Sequence, residues 1–266
     1  MKTSIAQIAA LTSFANAFLQ GQIVSFNLGH STAANCTEIS FVEVPSEDLI
    51  AGDPEKWFEY LKKEGIDHLI LDFVPQYENI KACRESIGFM GGGGRWLIAA
   101  EKGNKKGNKV DVWEGRWKYA ENQETGNDWL VNYGLIAKDW DLPDRRDPTL
   151  NECYANLEKY LEAILEFAQE QNLPDFAEKF KEASFRLASN NPEETLHYKD
   201  VLVKRNYSLK ARQVLSACQK AFVFGAMGSW NDMSYEGEIQ EKYDSISDNL
   251  FSTIVMAVCS VVNSYP

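Results

Sequence analysis

The chain has 266 residues, 39 of them acidic and 27 basic, for a formal net charge of −12. Hydrophobic residues make up 44% and charged residues 25%, a balance that builds a packed core without staples at this length. An acidic surface repels phosphate backbones and anionic headgroups. Nucleic acid and membrane are therefore poor partners, and a protein partner, basic if charge decides, is the first expectation.

The first segment follows Lys2 as a mildly apolar stretch and closes on Ala15-Asn16-Ala17, the shape of a signal cleavage site. Gln7, Thr12 and Ser13 interrupt it, and the same residues place Ile5, Ile8, Thr12, Ala15 and Leu19 on one helical face. A packed helix is expected. A cytoplasmic location goes with it, secretion being the lesser alternative. No apolar run reaches the roughly 20 residues of a membrane span.

Residues 22–28 and 37–44 are rich in β-branched and aromatic residues and predict two strands, joined by the polar loop Gly29-His30-Ser31-Thr32. Asp53 then fits a helix cap, Pro54 its first turn and Gly65 its left-handed end, with Trp57, Tyr60 and Leu61 as the buried stripe. Residues 68–74 read as a nearly all-apolar strand. Strand, helix and strand together suggest a βαβ-like unit. Asp72 near the end of that strand is a candidate base or metal ligand, because α/β ligand sites gather at strand ends. A buried structural carboxylate fits the same pattern.

A short helix is expected over 77–86. The run Gly91, Gly92, Gly93, Gly94 follows, with Arg95 leading the next strand. Consecutive N–H groups there suit an anion nest, so these five residues are candidate ligand contacts. The run lacks the Lys-Ser/Thr of a phosphate loop and precedes a strand, which fits a connector or a close backbone crossing. Three strands over 95–101, 110–119 and 129–138, separated by turn-forming linkers, predict an antiparallel meander. Trp113, Gly115, Trp117 and Tyr119 share one face of the middle strand, and Trp129, Val131, Tyr133 and Leu135 one face of the third. Trp113, Trp117 and Trp129 form either a ring-binding platform or a face buried under helices. The second is expected for Trp113 and Trp117.

Composition shifts at 139–148, which divides a sheet-containing region, 1–146, from a helical region, 147–266, packed separately or as one domain. Thr149 and Glu152 form a capping box. Helices are expected over 150–168, 175–187, 208–224 and 238–263, the last with Ile239, Tyr243, Ile246, Leu250, Ile254 and Val258 inward. Between the final two lies Gly225-Ala226-Met227-Gly228-Ser229-Trp230-Asn231-Asp232. Trp230 should pack inward, against the sheet or the first helix, and Asn231 or Asp232 should cap the following helix. The turn is also a candidate site, with Trp230 and Asn231 as ligand contacts and Asp232, like Asp72, as a candidate catalytic carboxylate.

The fold class this predicts is α+β: a mixed sheet with an antiparallel meander covered by helices, then a mainly helical half. His30, His68 and His197 lack metal-ligand spacing, and no cofactor motif is present. The first functional expectation is a protein that binds another protein, an immunity or inhibitor type being one version. The alternatives are an enzyme with its site between sheet and helices, and a carbohydrate-binding module on the tryptophan face. A deep pocket with converging polar groups distinguishes the enzyme, and exposed tryptophans the carbohydrate module.

Cys36, Cys83, Cys153, Cys218 and Cys259 are odd in number and widely spaced, with no CxxC, which predicts free thiols. Thiol titration of the denatured, unreduced protein should report five groups. A count of three or one would reveal a disulfide.

Overall fold

A computed structural model describes residues 1–89, 92–103, 109–120, 129–142, 147–194 and 196–265. The elements are α1 (Thr3–Leu19), β1 (Cys36–Glu43), β2 (Leu49–Ala51), α2 (Pro54–Lys63), β3 (Ile66–Val74), α3 (Ile80–Ser86), β4 (Arg95–Lys102), β5 (Lys109–Tyr119), β6 (Trp129–Asp141), α4 (Leu150–Glu170), α5 (Pro174–Ala188), α6 (Leu209–Ala221) and α7 (Gly237–Asn263). The strands form one sheet in the order β2-β1-β6-β5-β4-β3. The β1–β6 pair is parallel and the others antiparallel. The fold is thus α+β, with a mixed sheet, the expected meander, and a helical C-terminal half.

The caps expected at Asp53, Gly65 and Thr149 form. Asp53 accepts from Lys56 N at 2.8 Å, and Gly65 takes a left-handed φ of 75°. Thr149 and Glu152 exchange both bonds of the capping box. Two expectations fail. Residues 22–28 form no strand. Side chains hold them instead: Gln22 donates to the Asn206 carbonyl and the Tyr265 hydroxyl, and Phe26 stacks on His30. The strand–helix–strand unit is not a βαβ either. β1 and β3 stand with β6, β5 and β4 between them, and the three antiparallel steps make them run opposite ways. A local pattern cannot show that β6, almost ninety residues later, takes the place beside β1.

α1 is buried on nearly every face from Ile5 to Ala17, not on one stripe. It lies between the sheet and the helical half, so both sides bury it. The polar residues that interrupt its apolar run all have partners. The Gln7 amide donates to Thr32 O at 3.1 Å and accepts from the Tyr133 hydroxyl at 3.0 Å. Thr12 donates to Ile8 O at 2.9 Å, and Ser13 accepts from Val203 N at 3.0 Å. Residues of both halves join one continuous buried cluster.

The apolar C-terminal stretch of α7 joins that cluster. By length and composition α7 is the one described helix able to cross a bilayer, contrary to the expectation that no stretch is long and apolar enough. In this fold 61% of its apolar window is buried. All five cysteines are buried, and no disulfide joins any two of them.

β3 is an edge strand, and two asparagine side chains complete its free side. The Asn16 amide accepts from Leu69 N at 2.7 Å and donates to Leu69 O at 2.9 Å. Asn263 does the same for Leu71, at 2.8 and 2.9 Å. Each amide plays the part of a neighbouring strand. Asn16→Leu keeps the volume but leaves one N–H and one C=O without a partner, which should cost about 2–4 kcal/mol. Urea denaturation measures it, and a loss below about 0.5 kcal/mol would mean that the amide contributes nothing to the edge.

Candidate functional site

The turn at 225–232 and the end of α3 are built against each other. A Cβ on Gly88 would lie 2.6 Å from Gly225 O, so only hydrogen permits the contact. Asn231 bridges the same junction, accepting from Arg84 Nη1 at 3.1 Å and donating to Arg84 O at 2.8 Å. Arg84 is 1% exposed. Its Nε donates to Asp248 at 2.7 Å and its Nη2 to Asp244 at 3.1 Å, and its guanidinium lies over the Tyr243 ring. Lys81 adds a 2.6 Å contact to Asp244. The cluster fastens α3 to α7.

Trp230 is fully buried, as expected, but against different elements. Its ring meets Phe167, Phe176, Phe180 and Tyr243, all in the helical half, and its Nε1 donates to Ser247 at 2.8 Å. Neither the sheet nor α1 supplies a ring to it, because the turn sits at the ends of α4, α5 and α7. Asp232 is exposed and accepts from Gly228 N within its own turn. It does not cap α7, whose N-cap is Glu236 with no side-chain bond. Ser229 caps the short turn, accepting from Asn231 N.

Asp72 stands opposite Leu97 in the ladder, on the face of β3 opposite to the buried Leu71 and Phe73. His30 is buried between Thr32 and Asp200, and burial pushes its pKa down. Among the described residues no cluster of His, Cys, Asp and Glu is arranged to hold a metal ion. Of the glycine run, Gly91 lies outside the described residues. Gly93 and Gly94 have φ of 91° and 135°. A Cβ on Gly92 would strike Ser86 O, one on Gly93 the Ile87 side chain, and one on Gly94 the Phe73 ring. Gly93 N already donates to Ser86 Oγ at 3.0 Å. These glycines serve a close crossing of backbone over side chains.

That crossing forms one wall of a cleft of about 900 Å³. The cleft exists because the sheet parts at this end. The β4–β5 ladder stops at Leu97–Glu114. The β3–β4 ladder runs on to Val74–Arg95, and β5–β6 runs on to Tyr119–Trp129. The first turn of α1, with Thr3, Ser4 and Ile5, lies across the opening, and Ile87, Gly88, Phe89, Gly92 and Gly94 flank it.

The inner faces of three strands contribute rings to this cleft: Trp96 from β4, Trp117 from β5, and Trp129 and Tyr133 from β6. Trp117 and Trp129 meet edge to face at 5.9 Å and 67°. Both are half-buried. The tryptophan face therefore divides. Trp113 is buried under α2 against Trp57 and Phe41, whereas Trp117, expected to be buried with it, lies beyond the helix and opens on the cleft. The Trp96 Nε1 is a buried donor without a hydrogen-bond partner among the described residues.

Charged groups gather at the same place. Arg95, a sequence candidate like Gly92 and Gly94, holds Glu114 through two bonds of 2.7 and 2.8 Å, and that hydrogen bonding raises its pKa. Arg116 is exposed and has no ion pair among the described residues. The Lys2 ammonium donates to the carbonyls of Ile87 and Phe89, and burial lowers its pKa. Cys36 lines the base, where burial raises its thiol pKa and keeps it a poor nucleophile. Among the described lining residues no nucleophile is hydrogen-bonded to a base. Asp72, Asp232, Trp230 and Asn231 do not line the cleft. Alternating tryptophans marked its wall in the sequence. Lys2 and Arg116 carried no motif that could have marked them.

No family model, curated protein or solved structure matches the chain.

The Arg84 cluster gives a measurable acid response. Burial pushes the Asp244 carboxyl up, but hydrogen bonds from Lys81 and Gln240 and the charges of Lys81 and Arg84 bring it below the ordinary 3.8. It therefore contributes stability above that value, lost as pH falls through the depressed one. Arg84→Met leaves Asp248 without its cation and Asp244 with Lys81 alone, and should cost about 3 kcal/mol at neutral pH. The deficit should shrink as Asp244 becomes protonated, as pH-dependent denaturation would show. A deficit constant with pH would mean that packing, not charge, carries the role of Arg84.

Proposed function

We propose that the protein binds a small organic molecule in the cleft between the parted strands and α1. The observation that carries this is the opening of about 900 Å³ walled by Trp96, Trp117, Trp129 and Tyr133 with polar groups at its margin. Ligand sites combine an apolar, aromatic lining with a few converging polar groups in just this volume range. Binding is favoured over catalysis because the lining carries an inert thiol and an ion-paired carboxylate. The protein-partner expectation rests on net charge alone, and the cleft supports the small-molecule reading more directly. A flat tryptophan platform for sugars is less well supported, because Trp113 is buried and Trp117 and Trp129 form a corner.

The test uses protein with nitrogen-labelled indoles and a set of neutral aromatic fragments. Binding should shift the indole signals of Trp96, Trp117 and Trp129 and leave those of Trp57, Trp113 and Trp230 in place. Trp117→Ala should weaken binding roughly tenfold, about 1.4 kcal/mol. It should cost less stability than Trp113→Ala, which empties a core site and should cost about 3–5 kcal/mol. Fragments that bind without moving a cleft indole, or binding indifferent to Trp117→Ala, would overturn the proposal.

A further inference from the structure

The geometry points to a short peptide in extended form as the ligand of the cleft, held as an added strand along the free edge of β5. This rests on the cleft being the binding site and names the class of molecule it takes.

The edge arises where the sheet parts. Carried on from Leu97–Glu114, the β4–β5 register would set Trp96 opposite Gly115 and Arg95 opposite Arg116. Instead Trp96 and Arg95 pair with Phe73 and Val74 of β3 alone. Gly115 to Tyr119 pair with β6 on one side and with no described strand on the other. Successive residues of β5, Glu114, Gly115, Arg116 and Trp117, line the cleft, as do Gly94, Arg95 and Trp96 at the start of β4. A cavity on one face of a sheet would meet every second residue, whereas a slot between two strand edges meets them all. Along a strand, alternate residues direct N–H and C=O to the same side. Alternate residues from Gly115 to Tyr119 thus direct theirs into the slot, and no described residue bonds to them from that side. β4 offers less, because it begins at Arg95, next to Gly94 with its φ of 135°. The contrast with β3 is direct, since its outer edge is filled by the Asn16 and Asn263 side chains. An open edge pairs with an extended backbone, and sites for alternate side chains add selectivity.

The two faces of the slot set those side chains. On the helix-covered face, Trp117 and Trp129 form a corner at 67°, and Trp96 borders the same space from β4. Gly115 adds no side chain there, and even a Cβ would press on the Tyr133 ring at 3.0 Å. A peptide ring opposite Gly115 therefore meets indoles and the Tyr133 ring instead of a competing side chain. On the other face Glu114 is taken up by Arg95. Arg116 and Lys118 alternate onto that face, are exposed, and have no ion pair among the described residues. The matching peptide carries an aromatic residue flanked on both sides by acidic ones.

The experiment uses the intact, nitrogen-labelled protein and the peptide acetyl-Thr-Glu-Phe-Glu-Thr-amide, with affinity read from backbone amide and cleft indole signals. N-methylation of one peptide nitrogen at a time removes one backbone donor. Affinity should fall roughly tenfold at alternate positions and change little at those between. Alternate amides within 115–119 should gain protection from hydrogen exchange in the complex. Alanine in place of the peptide's phenylalanine should weaken binding roughly tenfold, and glutamine in place of both glutamates roughly threefold, the effect of exposed charges. Arg116→Gln should reduce the second difference and leave the first. Equal losses at successive N-methyl positions would overturn strand addition. Equal affinity of the glutamate and glutamine peptides would overturn the acidic flanks alone. Neutral aromatic fragments that shift the cleft indoles when the peptide does not bind would overturn the peptide and leave the cleft standing. Cleft indoles unmoved by peptide and fragments alike would overturn the cleft reading as well.

Discussion

The free edge of β3 is the constraint around which the structure is arranged. A strand at the end of a sheet presents unpaired N–H and C=O groups, and burying them unsatisfied costs more than most single contacts return. Here two helices cover the edge and bring an asparagine each to the exposed groups of Leu69 and Leu71. The bonds are directional, so they fix where α1 and α7 lie along the strand as well as that they cover it. The opposite edge is handled differently: β2 has three residues, Leu49–Ala51, too short to template another chain.

Once α1 and α7 are fixed, the rest of the site follows from them. α1 anchored at Asn16 carries its first turn across the gap between β4 and β5. α7 presents Asp244 and Asp248 to Arg84, and that cluster holds α3. The end of α3 in turn launches the connection that walls the cleft, seated on Gly225 through Gly88. The two loops that stood out in the sequence are thus one piece of architecture. Their glycines allow close approach, Asn231 reads the Arg84 backbone and side chain, and Trp230 plugs the helical half. Their polar content is used up in holding the wall.

The cleft itself is a product of strand divergence. Where β4 leaves β5, inward-facing residues lose the helix that covers them farther along the same strand. Trp113 and Trp117 share one face of β5, yet α2 reaches only the first. The difference in their chemistry comes from the length of the covering helix.

The sequence by itself determined whatever depends on neighbours a few residues apart. The caps at Asp53 and Thr149, the α7 stripe through Tyr243, Leu250 and Ile254, and the alternation of Trp113, Gly115 and Trp117 were legible because helix and strand periods act locally. The α+β class followed from them. Asp72, Asp232, Trp230 and Asn231 were also visible, as residue types able to do chemistry, but residue type does not say what stands opposite. Tertiary structure decided that Gln7, Thr12, Ser13 and Asn16 are satisfied partners inside a central helix. It decided that β6 pairs with β1, and that Trp96, Trp117 and Trp129 line one opening. Those juxtapositions join positions that lie far apart along the chain. They are set by which surfaces must be buried together, a condition that only the assembled fold imposes.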